Sequence, residues 1–151
     1  MAHSKEGGRC SIVTPWPYSA GMIAICGAAL VPVGLYFALW RPRFLPEDAR
    51  FTGAPLAKIE AVAPTISPWL GLVFKVMGGY VIATGILTAY VAATTFRRHE
   101  RGSTIAVALG GAASIGTMAV VNVVLDSDFK KPLVGLSALL GLALVLHSRG
   151  R

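Results

Sequence analysis

Few side chains in this chain are able to do chemistry, and the most conspicuous of them is Lys75. It is the single charge in residues 69–96, WLGLVFKVMGGYVIATGILTAYVAATTF. An ionisable group inside such a run is costly, about 2.5–3.5 kcal/mol at the centre of a membrane. Lys75 lies six residues beyond Trp69, roughly 9 Å along a helix axis. A lysine stem is long enough to carry the ammonium from there back to the interface. The alternative is a polar cluster. Asn122 and Asp126 are four apart and share a helix face, and alternating spans bring them to the depth of Lys75. A Lys75–Asp126 pair assisted by Asn122 is the arrangement expected if the charge is buried. Such a cluster would suit a lipid headgroup, a quinone or a small polar ligand.

The remaining candidates point to structure before catalysis. Glu47, Asp48 and Glu60 place acids between the first two apolar runs. Pro46-Glu47-Asp48 reads as the first turn of a helix, where proline and acids are favoured and the acids cap the helix. His3, His99 and His147 fall in tails, in a short loop or at the end of a run. None is mid-membrane, where a haem ligand belongs. Metal-spaced clusters, phosphate-cradling loops and nucleophile motifs are absent from the sequence. No catalytic residue, metal or cofactor is therefore assigned; a bound lipid or quinone, or a small polar ligand at the Lys75 cluster, is the ligand the sequence allows. Tyr36, Tyr80 and Tyr90 read as packing or interface residues, with the lining of a cavity as the alternative. Two cysteines, Cys10 and Cys26, are too few for a disulfide framework and read as free thiols.

The elements that must position these residues follow from the apolar runs. The 151 residues are 54% hydrophobic and 14% charged, against about 25% charged in soluble domains. That balance specifies an all-α polytopic membrane protein, a four-transmembrane-helix bundle forming a single membrane domain over residues 1–151. The spans are expected at about 20–40, 69–96, 103–125 and 132–147. The fourth is close to the shortest length that crosses a bilayer. The first, which follows a polar segment, reads as a retained helix because it is too long for a signal-peptide core. Pro32 inside it is tolerated in membrane bundles. Residues 41–68 form the one long loop, with five of the nine prolines. Within it, 55–63 places Leu56, Ile59, Val62 and Ala63 on one face, the pattern of a short amphipathic helix lying on the membrane or capping the bundle.

Charge sets the topology. The net charge is +7, but the basic residues flank apolar runs and form no separate soluble face. They read as topology anchors and headgroup contacts, and nucleic acid is excluded as a partner. Four spans put both termini on one side. Lys5, Arg9, Arg97, Arg98, Arg101, Arg149 and Arg151 fall there, against Arg41, Arg43, Arg50, Lys58, Lys130 and Lys131 on the other. The counts nearly tie, and the compact Arg97, Arg98, Arg101 cluster in a short loop decides for the cytoplasm. The expected location is the cell's inner membrane, multi-pass, with both termini cytoplasmic. Small residues four apart, at Ala24 and Ala28, Gly85 and Ala89, Ala112 and Gly116, and Ser137 and Gly141, give each helix a narrow face for close packing. Such faces serve the bundle itself or another subunit.

Arg43-Phe44-Leu45-Pro46-Glu47-Asp48, then Phe51-Thr52-Gly53, and Gly78-Gly79-Tyr80 further on, resemble a group of small, uncharacterised bacterial four-helix membrane proteins. These carry an FLPED-like segment after the first helix and glycines in the second. The resemblance covers about residues 20–95 and implies no activity. The four-span plan is also similar to the DoxX-like group, some members of which are linked to quinone or thiol redox chemistry. Two functions follow as expectations. One is a non-catalytic accessory or structural subunit of a larger membrane complex, its partners the lipid bilayer and other membrane subunits or further copies of itself. The other is a DoxX-like redox or small-ligand protein working near Lys75, Asn122 and Asp126.

Overall fold

The computed structural model describes residues 17–100 and 102–149. Cys10, Arg101 and Arg151 lie outside them, as does the polar segment before Pro17. The described residues are helical without a strand. Four helices are long and apolar enough to cross a membrane: α1 (Tyr18–Trp40), α4 (Ile66–Phe96), α5 (Ser103–Val124) and α6 (Lys130–Arg149). Two short helices, α2 (Pro46–Thr52) and α3 (Leu56–Val62), occupy the connection between α1 and α4.

Two boundaries differ from the sequence reading, both through proline. Pro68 falls in the first turn of α4, and Pro132 in the first turn of α6. A first-turn residue has no intrahelical acceptor for its N–H, so proline costs little there. The long loop consequently ends before Ile66 and the fourth helix begins at Lys130; that helix also runs on to Arg149, so it has 20 residues where about 16 were expected.

The fold is organised by α1 against α4. The two run antiparallel, and glycines seven apart on each helix meet in register: Gly27 opposes Gly85, and Gly34 opposes Gly78. A Cβ added at Gly27 would lie 2.6 Å from the Ala89 nitrogen and 2.7 Å from the Gly85 carbonyl oxygen. One added at Gly78 would lie 2.6 Å from both the Ala38 nitrogen and the Gly34 oxygen. The helix backbones touch, with no room for any side chain between them. In lipid, where burial of apolar surface brings little gain, such close approach is the main source of helix association. Of the expected small-residue pairs, Gly85 and Ala89 serve this contact. Ala28, Ala112 and Gly141 are exposed instead.

On its other side α1 packs against α6, and α5 lies over α6. Leu140 packs onto Gly111, and Ser137 Oγ donates to the Ile115 carbonyl at 3.3 Å. The core where the four helices meet holds Ala20, Ile23, Cys26, Leu30, Phe96, Ile115 and Ala143. Cys26 is a free, fully buried thiol. α4 is the least covered span: 11% of its most apolar stretch is buried, against 28% for α1.

The α1–α4 contact is tested by substitution. Gly85→Val forces the two backbones apart and should destabilise the protein by about 1–3 kcal/mol, as overpacking does. Gly79→Val, where an added Cβ meets nothing within 4 Å, should leave the unfolding midpoint in detergent unchanged.

Candidate functional site

The polar residues gather at the two ends of the bundle. At the end bearing residues 41–65, α1 finishes in a wide turn in which the Arg41 N–H reaches the Tyr36 carbonyl at 2.7 Å. This swings the Arg41 side chain back over the bundle. Its guanidinium carbon lies 3.8 Å from the Phe74 ring centroid and 5.3 Å from that of Phe37. Arg41 pairs with Asp48 at 3.5 Å, the two side chains only 10% and 20% exposed. Stacking on aromatic rings suits a delocalised, weakly hydrated guanidinium.

Asp48 has a second task. Its Oδ2 accepts the Leu45 N–H at 2.8 Å and so caps α2. Gly53 ends that helix in the left-handed region at φ +68°, where glycine is not penalised. Glu47, beside Asp48, is buried and accepts a hydrogen bond from Ser127 Oγ at 3.1 Å. Ser127 lies in the turn between α5 and α6, and its Oγ also accepts the Phe129 N–H at 3.2 Å. Arg50 donates to the Asp126 carbonyl at 3.1 Å, and Tyr36 and Phe129 meet with ring centroids 5.7 Å apart. Helix α2 is thereby a latch: one side is fixed to α1 through Arg41, the other to the α5–α6 turn through Glu47 and Arg50.

The expected Lys75–Asn122–Asp126 cluster does not form. Lys75 is exposed and has no hydrogen bond or ion pair among the described residues. Asn122 Nδ2 is turned back on its own helix, donating to the Met118 carbonyl at 2.8 Å. Asp126 comes after α5 has ended, in the left-handed region at φ 51°, and its carboxylate pairs with Lys130 in the first turn of α6. The Lys130 hydrogen bond, reinforced by its charge, holds the Asp126 carboxyl below the usual carboxylate range. A lowered folded-state pKa means that this pair contributes at pH above the ordinary carboxylate value and is lost as pH falls through the depressed one. Glu60 is half-buried and unpaired among the described residues. On the apolar face of α3, Leu56, Ile59 and Ala63 are half-buried and Val62 is 86% exposed.

At the opposite end, residues 97–102 join α4 to α5. Arg97 and Arg98 begin this connection, and Arg101 lies outside the described residues. His147, near the end of α6, is 1% exposed. Its ring is stacked between Phe96, at 3.8 Å, and His99, at 4.1 Å. Ser19 Oγ lies 3.4 Å from Nδ1 of His147. This stack clamps the ends of α4, α6 and the start of α1. From sequence, His99 falls in a short loop and His147 at the end of an apolar run. The signal that locates His147 is its fourfold spacing from Ala143, on the buried face of α6.

A third feature is apolar. Between α4 and α5 lies a cavity of about 210 Å³ that reaches Leu30 of α1. Met77, Tyr80, Thr84, Ser114 and Met118 form its walls. The Thr84 and Ser114 hydroxyls donate to carbonyls of their own helices, at 2.8 Å and 2.7 Å. Among the described residues no three His, Cys, Asp or Glu side chains are grouped to hold a metal. The two buried or half-buried acids of α2 are both engaged in structural hydrogen bonds.

Ser127→Ala removes a donor from the buried Glu47 carboxylate and should cost roughly 1–3 kcal/mol. Trypsin should then cut faster after Arg50 and Lys58, with cleavage after residues 97 and 98 unchanged. Equal cleavage at both ends would exclude the latch.

No protein-family model, characterised protein or solved structure matches the chain, and the reading of function rests on its residues and their geometry.

Proposed function

We propose that the chain is a non-catalytic accessory or structural subunit of a larger membrane protein complex. The observation that carries this reading is the outward face of α4. Trp69, Val73, Val76, Tyr80, Ala83, Leu87 and Tyr90 are all exposed. They are spaced alternately four and three apart, the repeat by which one helix seats knobs into the holes of another. This seam lies on the side of α4 opposite Gly78 and Gly85, which the chain's own α1 occupies. Tyr and Trp supply large contact area at low entropic cost and are enriched where membrane and soluble partners meet. The partner is an apolar transmembrane helix of another subunit. The short basic loop with Arg97, Arg98 and Arg101 supports both termini in the cytoplasm and residence in the inner membrane.

A second reading, a DoxX-like quinone-linked or small-ligand protein, is favoured by the cavity between α4 and α5. An apolar chain suits its walls, whose hydroxyls are turned back to their own helices. It requires no role for Lys75, Asn122 or Asp126, none of which lines that cavity.

The full chain, tagged and extracted in mild detergent, should co-purify at fixed stoichiometry with at least one other membrane subunit. Tyr80→Ala combined with Leu87→Ala should release that subunit while leaving the helical content intact. A monomer with bound quinone or lipid would favour the second reading, and a homo-oligomer broken by the same substitutions would make the partner a second copy.

A further inference from the structure

Arg43 and Lys75 form a pair of cations that nothing in the described protein neutralises. Arg43 follows the exposed Trp40 by three residues, at the end of α1, and its side chain lies along α4. Its Nε is 3.5 Å, and its Cγ 3.8 Å, from the position a Cβ would take on Gly71. Glycine at 71 leaves the helix surface open there and lets the guanidinium lie against it. Lys75 is the next residue along the same strip of α4, four positions on, about 6 Å further toward the hydrocarbon. Both side chains are exposed, and neither makes an ion pair or hydrogen bond among the described residues. By contrast Arg41, two residues before Arg43, is matched to Asp48, and Lys130 to Asp126.

The surroundings give the depth. Trp40 and Trp69 are 68% and 57% exposed at this end, and exposed tryptophans collect at the headgroup level of a bilayer. A lysine one to two turns deeper extends its ammonium back toward that level. An arginine fork and, one helical turn along the same strip, a lysine point charge present the chemistry that phosphate oxygens complement. Below them the exposed α1 residues Leu39, Leu35 and Pro32 offer an apolar track for acyl chains.

We infer that Arg43 and Lys75, with Gly71 between them, hold the phosphate of an anionic membrane phospholipid. The site is on another strip of α4 from the outward seam of Trp69, Val76 and Tyr80, and the inference stands whether or not a partner helix docks there. It gives Lys75 a ligand in place of the absent Asp126 contact.

The test is native mass spectrometry of the full chain titrated with phosphatidylglycerol. The wild type should keep one phosphatidylglycerol per chain in preference to diacylglycerol. Arg43→Gln with Lys75→Gln should weaken that binding roughly thirtyfold, the effect of two basic residues at an anionic surface. Lys75→Arg should preserve it. Gly71→Leu, which displaces Arg43 without changing any charge, should weaken it in part. Arg98→Gln, at the other end of the bundle, should change nothing. If the double variant does not fold, the wild type still decides, because excess inorganic phosphate should fail to displace the lipid. Undiminished binding in a folded double variant, equal retention of diacylglycerol, or displacement by inorganic phosphate alone would overturn the proposal.

Discussion

The structure depends on how closely α1 and α4 approach. Glycines at 27, 34, 78 and 85 bring the two backbones into contact over two turns of each helix, with carbonyl oxygens and amide nitrogens where side chains would otherwise stand. In a bilayer such a contact would have no hydrophobic driving force behind it, and its stabilisation would come from dispersion at short range and from the absence of side-chain entropy to lose. The consequence is asymmetric. α1 is used on two sides, by α4 and α6, whereas only 11% of the most apolar stretch of α4 is buried, against 28% for α1.

Around this contact the ionisable side chains are used to fix connections. Arg41 and Glu47 hold α2 between the end of α1 and the α5–α6 turn, and Asp48 caps the helix that carries them. A buried ion pair is a poor source of net stability, because desolvation offsets most of its attraction. Its effect here is positional: Arg41 meets Phe74, Phe37 and Asp48 together, which ties the segment after α1 to both α1 and α4. The stacked rings of Phe96, His147 and His99 do the same work at the other end. With both ends of the bundle fixed, the outward face of α4 stays exposed between them.

The four long helices were legible in the sequence because each is a long apolar run bounded by charge or proline. Helix termini were less so: Pro68 and Pro132 look like breaks in a linear reading but belong to first turns. The packing was half legible. Gly85 and Ala89 are visible as a small-residue pair, yet their partner Gly27 emerges only when two antiparallel helices are brought into register, and no single-helix inspection supplies that register. The Lys75–Asp126 pairing failed for a similar reason. Equal depth in the membrane says nothing about azimuth, and Asp126 turns at a positive φ toward its own neighbour Lys130. Glu47 carried no signal of burial, since an acid after proline at a helix start is ordinarily solvated.

The proposed subunit role gives α4 two working faces, one closed by α1 and one that another subunit would close. A photo-crosslinking amino acid placed singly at each position from 69 to 90, and activated in native membranes, tests it most directly. The account predicts intermolecular protein adducts that recur every three to four residues and peak at 73, 76, 80, 83 and 87, with no intermolecular adducts at 78 and 85. Adducts to lipid alone along the whole outward face, or protein adducts without that period, would contradict it.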